Sequence, residues 1–317
     1  MHVSYSAMAH STTTPDLLPM GWTFSTALKL GRVSNLPTVW TNVLAAIILS
    51  GSQISLLPSI SLMMAMSLAY VGGMFLNDAF DHVIDAIERP NRPIPMGLVS
   101  TRSVYVVGFS LLLLSQLIVI AVASYFARII PAAISGLLLC TAIVSYNRWH
   151  KNNPLSPVLM GFCRLLVYST CALSVSTEPS HLVYFGSITA LAYLIGLTYT
   201  AKQEHLGKVS SLWPLGFLVV PVAFGLFFAP LSLGVWVTVA VLALWISYCL
   251  RLIIRRQRGD IPKAVTGLIA GIALVDMLLI TVAGTHLNTE TLPIWLVSLP
   301  FIAFSLTLFF QRYIAGT

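Results

Sequence analysis

Asn77, Asp78, Asp81 and Asp85 place one amide and three carboxylates within nine residues, just after the apolar run Leu56–Leu76. The chain has only ten Asp and Glu in all, so the concentration is local and not a matter of composition. On a helix turning about 100° per residue they would stand at about 0°, 100°, 40° and 80°, within roughly a quarter of one face. Carboxylates held so close repel one another unless a cation sits among them. Hard oxygen donors suit magnesium, which commonly takes one or two carboxylates together with substrate phosphates. Arg89 and Arg92 follow directly, and guanidinium groups grip phosphate oxygens through forked hydrogen bonds. Pro90, Pro93 and Pro95 stiffen the loop that carries them. The pattern predicts a magnesium-assisted diphosphate site. The plainer alternative is a solvated acidic helix end followed by ordinary basic flank.

The elements that must position these groups are membrane helices. Hydrophobic residues make up 57% of the 317 and charged ones 9%, with a mean hydropathy of +0.88. A soluble domain would carry about a quarter charged residues. Spans of about 17–25 apolar residues are predicted near 33–50, 56–78, 103–125, 129–146, 157–175, 182–200, 212–228, 233–250, 265–285 and 293–310. The fold class expected is an all-α polytopic membrane protein, a helical bundle of ten spans, or nine if the seventh and eighth merge across Ala229-Pro230. Residues 1–28 read as a polar, disordered tail and 29–317 as the membrane domain, with Gly21–Arg32 able to form a short helix along the membrane surface. Cys140, Cys163, Cys171 and Cys249 lie singly within apolar runs, which predicts neither disulfides nor a zinc site.

Basic residues are enriched on the cytoplasmic side of membrane proteins. Fifteen of the 17 Lys and Arg fall in one alternate set of connections, with only Arg128 opposite and Arg164 inside a span. Ten spans would therefore leave both termini and every charged loop cytoplasmic, as expected for a protein of the cytoplasmic membrane whose site opens on that side. This accounts for the formal charge of +7 without a nucleic-acid partner. Membrane lipid is the expected surrounding, and an anionic substrate would meet basic groups at that face.

Asn-Asp-x-x-Asp-x-x-x-Asp at 77–85, with Asn-Arg-Pro-Ile-Pro at 91–95, resembles the UbiA superfamily of intramembrane prenyltransferases. The likeness runs from about Gly31 onward and includes Gly31–Asn42 in the first span. It implies a multi-helix enzyme that uses magnesium to move an isoprenyl group from an isoprenyl diphosphate to a small polar acceptor. By that resemblance Asn77, Asp78, Asp81 and Asp85 are metal and diphosphate ligands, and Asn35 and Asn42 share the cavity; a buried polar helix contact is the other reading for those two. Tyr146 and Lys151 resemble the family's Tyr-and-Lys motif, spaced one residue wider. The lysine would bind diphosphate and the ring would face the allylic cation, unless this is simply a basic aromatic interface loop.

The second acidic motif of the family is degenerate here. Thr200 and Glu204 align with its two aspartates, which leaves one carboxylate, Glu204, as a metal ligand. Lys202 and Lys208 would meet phosphate directly, and His205 would be a ligand or acid–base group. Pro154–Arg164 and Gln203-Glu204-His205 resemble an EboC-like branch. Arg164 and Asp276, both inside spans, are expected either to pair with each other or to line the acceptor end of the cavity. Two other outcomes stay open: a cyclase or phosphohydrolase acting on the same site, and a non-catalytic protein that binds or transports prenyl lipid.

Overall fold

A computed structural model describes residues 21–151, 153–202, 213–229, 232–286 and 293–316. Among them the chain is all α-helical. The helices are α1 (Phe24–Leu30), α2 (Leu36–Leu49), α3 (Leu56–Phe80), α4 (His82–Glu88), α5 (Thr101–Tyr125) and α6 (Ile129–Trp149). They continue as α7 (Ser156–Val175), α8 (His181–Lys202), α9 (Val220–Phe228), α10 (Leu233–Arg255), α11 (Asp260–His286) and α12 (Ile294–Phe310). Short 3-10 turns, Val33–Asn35 and Trp213–Val219, lead into α2 and α9.

Seven helices, α3, α5, α6, α7, α8, α10 and α11, are long and apolar enough to cross a membrane. Three shorter apolar segments, Val33–Leu49, Trp213–Phe228 and Trp295–Phe310, lie where the remaining spans were expected. The expected boundaries lie within a few residues of the observed ones, because apolar length rather than propensity sets these helices. Two expectations need correction. The predicted disordered segment 1–28 overlaps α1, whose first turn is capped where the Thr23 side chain accepts the Thr26 N–H; residues 1–20 lie outside the described part. The acidic stretch is also not one continuous helix face. Asp81 ends α3 and begins α4, with a backbone near φ −84°, ψ −2°, so the motif straddles a bend.

α11 is the central helix, packed against α2, α8, α9, α10 and α12. Its start is fixed by Asp260, whose carboxylate accepts two hydrogen bonds from the Arg255 guanidinium (2.8 and 2.7 Å) and one from the Gln257 N–H. α3 and α5 cross closely at Gly72 and Gly108. A Cβ on Gly72 would stand 2.9 Å from the Gly108 carbonyl oxygen, and one on Gly108 would stand 2.8 Å from Leu76 Cγ. Small residues permit such backbone approach between membrane helices. Leu113 and Leu117 on α5, Leu137 and Leu138 on α6, and Leu244 on α10 face outward, as suits surfaces solvated by lipid.

The ends of α3, α6 and α8, the start of α7 and the residues after α12 all border one cavity. The sequence placed these charged connections on one side of the membrane, and the fold brings them together around that cavity.

Candidate active site

Three carboxylates at the end of α3 are almost withdrawn from solvent: Asp78 is 5% exposed, Asp81 6% and Asp85 1%. Buried charges need partners, and here each carboxylate faces basic side chains. Arg32 Nη2 donates to Asp78 Oδ1 at 2.9 Å and to Asn77 Oδ1 at 3.4 Å. Arg92 Nη1 donates to the same Asp78 oxygen at 3.0 Å and to Asp85 Oδ2 at 2.5 Å. Asp81 Oδ2 faces His150 Nε2 at 3.3 Å and Lys151 Nζ at 4.0 Å, and that ammonium is also 3.5 Å from Glu88. Asn77 donates to Asn147 on α6, which in turn donates to the Gly73 carbonyl, so α6 holds the acidic end of α3 in register.

Arg32 is aimed by its backbone. Its φ of +43° lies in the left-handed region, uncommon for a residue with a Cβ. That turn swings the guanidinium from the start of α2 across to α3, where it also reaches Met74 Sδ.

The carboxylates stand at the mouth of a cavity of about 520 Å³. Arg32, Asn77, Asp81, Glu88, Arg89, Arg92, His150, Lys151 and Lys202 line its polar end; Leu194, Leu197, Ile269 and Ile272 line the deeper part. A second, largely apolar space of about 140 Å³ continues between α2, α3, α6 and α7, bordered by Met66, Leu139, Ile143 and Val167. Tyr70, Met74, Tyr146, Met160 and Arg164 border both. Tyr146 stacks on His150, with ring centroids 5.1 Å apart. Polar head and apolar tail thus have adjoining places.

Of the residues singled out in the sequence, Asn35, Asn77, Asp81, Arg89, Arg92, Tyr146, Lys151 and Lys202 line this cavity. Asp78 and Asp85 lie against it beneath Arg92. Asn35 also donates to Tyr70 and to the Gly316 carbonyl, so the chain end helps to fix it. Asn42 does not reach the cavity. It is fully buried and donates to both Asp276 oxygens at 2.8 and 2.7 Å, the helix contact that was its other reading. Lys202 donates to the Asn153 carbonyl and to Ser156, bridging α8 to the start of α7. Glu204, His205 and Lys208 lie outside the described residues. Thr200 is buried and donates to the Gly196 carbonyl; Leu197, Thr198, Ala201 and Lys202 present the cavity face of α8.

Arg164 and Asp276 do not form an ion pair. Asp276 instead accepts from Thr41, Asn42 and Tyr168, while Arg164 faces the cavity. Sequence reasoning missed Arg32 and His150 as site residues. The only signal for Arg32 was its place in Gly31–Asn42, and His150 borders the Tyr146 motif.

The donor set suits a hard divalent ion: three carboxylates and an amide oxygen around a mouth that also presents phosphate-binding cations. Among the described residues, no three His, Cys, Asp or Glu converge on one point as ligands. Arg92 lies between Asp78 and Asp85 instead, and Arg32 caps Asp78. The donors are nonetheless of the kind magnesium takes, an ion that needs few protein ligands.

The model of the UbiA prenyltransferase family matches residues 36–272. The chain is 25% identical over 210 residues to the digeranylgeranylglyceryl phosphate synthase of Methanopyrus kandleri, covering 62% of this chain and 69% of that protein. It is 34% identical over 94 residues to the synthase of the same description from Methanothrix thermoacetophila, spanning 29% of this chain and only 35% of that relative. A third such synthase, from Haloquadratum walsbyi, is 38% identical over 87 residues, 27% of this chain and 28% of its own. Among solved structures, one concerning digeranylgeranylglyceryl phosphate synthase in membranes superposes with a TM-score of 0.60 at 19% identity, covering 82% of this chain and 98% of that one. A UbiA homologue from Aeropyrum pernix K1 superposes at 0.61 and 17% identity, covering 79% and 97%. At such identities the likeness is one of fold.

Proposed function

We propose, for a chain that belongs to the UbiA prenyltransferase family of alkyl-transferring enzymes, that it moves an isoprenyl group from an isoprenyl diphosphate to a small acceptor. One observation carries the reading. Carboxylates matched by arginine and lysine guard the mouth of a cavity whose continuation is apolar. Diphosphate would sit among Arg32, Arg89, Arg92, Lys151 and Lys202, with its prenyl tail directed past Tyr146 and Met74. Asn77, Asp78, Asp81 and Asp85 would hold magnesium, with Glu204 as a further ligand. Bound there, the ion would neutralise charge on the departing diphosphate.

In the reaction the C1–O bond breaks and its electron pair leaves with the diphosphate. The acceptor nucleophile forms the new bond to C1, and its proton passes to solvent or to the released diphosphate. Arg32 and Arg92 would stabilise the leaving oxygens once diphosphate draws them from the acids they now hold, and charge stabilisation of that kind contributes most to such steps. The Tyr146 ring, stacked on His150, offers its face to the allylic cation. Apolar walls exclude the water that would otherwise capture it.

Ten crossings fit the geometry. A 3-10 turn rises about 2.0 Å per residue against 1.5 Å for an α-helix, so 33–49 and 213–228 each reach about 27 Å, close to the hydrocarbon thickness. The mouth would then open to the cytoplasm. Membership of an EboC-like branch rests on Pro154–Arg164 and Gln203-Glu204-His205 alone; the three named relatives are all digeranylgeranylglyceryl phosphate synthases.

The test uses purified protein, labelled geranylgeranyl diphosphate, magnesium and a panel of acceptors. Asp78→Ala and Asp81→Ala should abolish prenyl transfer. Full consumption of diphosphate by both variants would overturn the mechanism. Diphosphate release by the wild type with no acceptor would point to a cyclase or phosphohydrolase, and binding without turnover to a lipid-binding protein.

A further inference from the structure

We propose that Arg164 is the seat for an oxyanion on the acceptor, so that this chain takes an anionic acceptor and ionises its prenyl diphosphate efficiently only when that anion is in place. The proposal rests on the prenyl-transfer reading above.

Arg164 is the ninth residue of α7, about 12 Å below the start of that helix. A guanidinium at that depth in a membrane span is strongly disfavoured without a partner or a polar cavity. The other basic side chains at the cavity, Arg32, Arg92, His150, Lys151 and Lys202, each meet a carboxylate or carbonyl. Arg164 has neither hydrogen bond nor ion pair to any described residue. Asp276 does not serve, because Thr41, Asn42 and Tyr168 already donate to its two oxygens. The guanidinium lines both the polar cavity and the apolar space, beside Tyr70, Tyr146 and Met160. Thr198 lines the same polar cavity.

The chamber therefore has two anion seats, one at the mouth for diphosphate and one about two helical turns below. Their energetics are linked. An allylic cation forming beside an unneutralised guanidinium in a low-dielectric chamber is repelled by it. A carboxylate or phosphate bound to Arg164 removes that repulsion. C–O cleavage is thereby coupled to the presence of an acceptor, which suppresses loss of prenyl diphosphate to water.

Two matched probe pairs test this on the whole protein. One is a glycerol-phosphate ether lipid against its phosphate-free alcohol; the other is a hydroxyaryl carboxylate against its amide. The wild type should use the charged member of at least one pair about tenfold better or more in kcat/KM, and which pair responds tells phosphate from carboxylate. Arg164→Gln should remove that preference by raising the KM for the charged probe, with the KM for geranylgeranyl diphosphate moving less than about twofold. It should also raise diphosphate release in the absence of acceptor, and Arg164→Lys should restore part of the preference. Equal use of charged and neutral probes by the wild type would overturn the proposal, with no variant needed. So would an undiminished preference in Arg164→Gln. If no prenyl diphosphate is consumed under any condition, the prenyl-transfer reading fails. Calorimetric binding of the charged probes to wild type and Arg164→Gln still decides the seat: weaker binding by the variant supports it and equal binding refutes it.

Discussion

Arg32 carries the strained backbone and two of the polar contacts at the acidic end of α3, yet in the sequence it was marked only by cytoplasmic charge and its place in Gly31–Asn42. Removing its side chain by Arg32→Ala deletes charge-assisted hydrogen bonds to Asp78 and Asn77, each worth about 1.5–3 kcal/mol. The expected outcome is a loss of about tenfold to a hundredfold in kcat/KM for prenyl diphosphate, with Arg32→Lys recovering only part because an ammonium cannot reproduce the fork. Steady-state kinetics would check both; an unchanged kcat/KM in Arg32→Ala would remove Arg32 from the site. Asp78, Asp81 and Asp85 were legible in the sequence because acids are so scarce in a lipid-embedded chain that three together demand a reason. Their cationic partners were not, because topology alone already explains arginine and lysine at a cytoplasmic face. Asn42 misled for a related reason: an amide in a span satisfies either a ligand or a neighbouring helix, and only the position of Asp276 decides between them.

Helices and their ends were read closely, since apolar length is written directly into the sequence. The bend at Asp81 was not, because nothing in the residue types of 77–85 interrupts helical periodicity. Close helix crossings lead to a stability prediction. Gly72→Ala would force a Cβ to 2.9 Å from a backbone oxygen of α5, which cannot move aside like a side chain. A loss of about 1–3 kcal/mol is expected, seen as a lower melting temperature in detergent; an unchanged melt would show that α3 and α5 can separate freely. Asp276→Ala strands Thr41, Asn42 and Tyr168 between α2, α7 and α11. Leaving a buried donor without its acceptor costs about 1–3 kcal/mol for each group. The melt should fall while the KM for prenyl diphosphate in the surviving folded fraction stays near wild type, since none of the three reaches the mouth. A selective rise in that KM would assign the network to the site instead.

Across the whole molecule, one face gathers the chemistry and the other holds little of it. Loop Arg256–Gly259 and the mouth residues lie at the same end of the bundle as the acidic motif, and Thr177 lies at the opposite end, where its carbonyl accepts from Arg128. Single-cysteine labelling with a membrane-impermeant reagent should therefore modify Arg258→Cys only in inverted vesicles and Thr177→Cys only in right-side-out ones. Cys171 and Cys249 are buried, which limits background. Labelling of both from one side would refute the ten-crossing arrangement. Alternating spans made it legible that the charged loops share one side of the bundle, but not that they converge on one cavity. The shape of the shared cavity was not legible, because it depends on how the helices tilt against one another.

The most direct measurement is a structure of the protein with magnesium and a geranylgeranyl thiodiphosphate that resists cleavage. The metal should lie between the diphosphate and the carboxylates of Asp78, Asp81 and Asp85, with Arg32 and Arg92 turned from those carboxylates to phosphate oxygens and the tail passing Tyr146. Diphosphate bound elsewhere, with both arginines still paired to the acids of α3, would contradict the account.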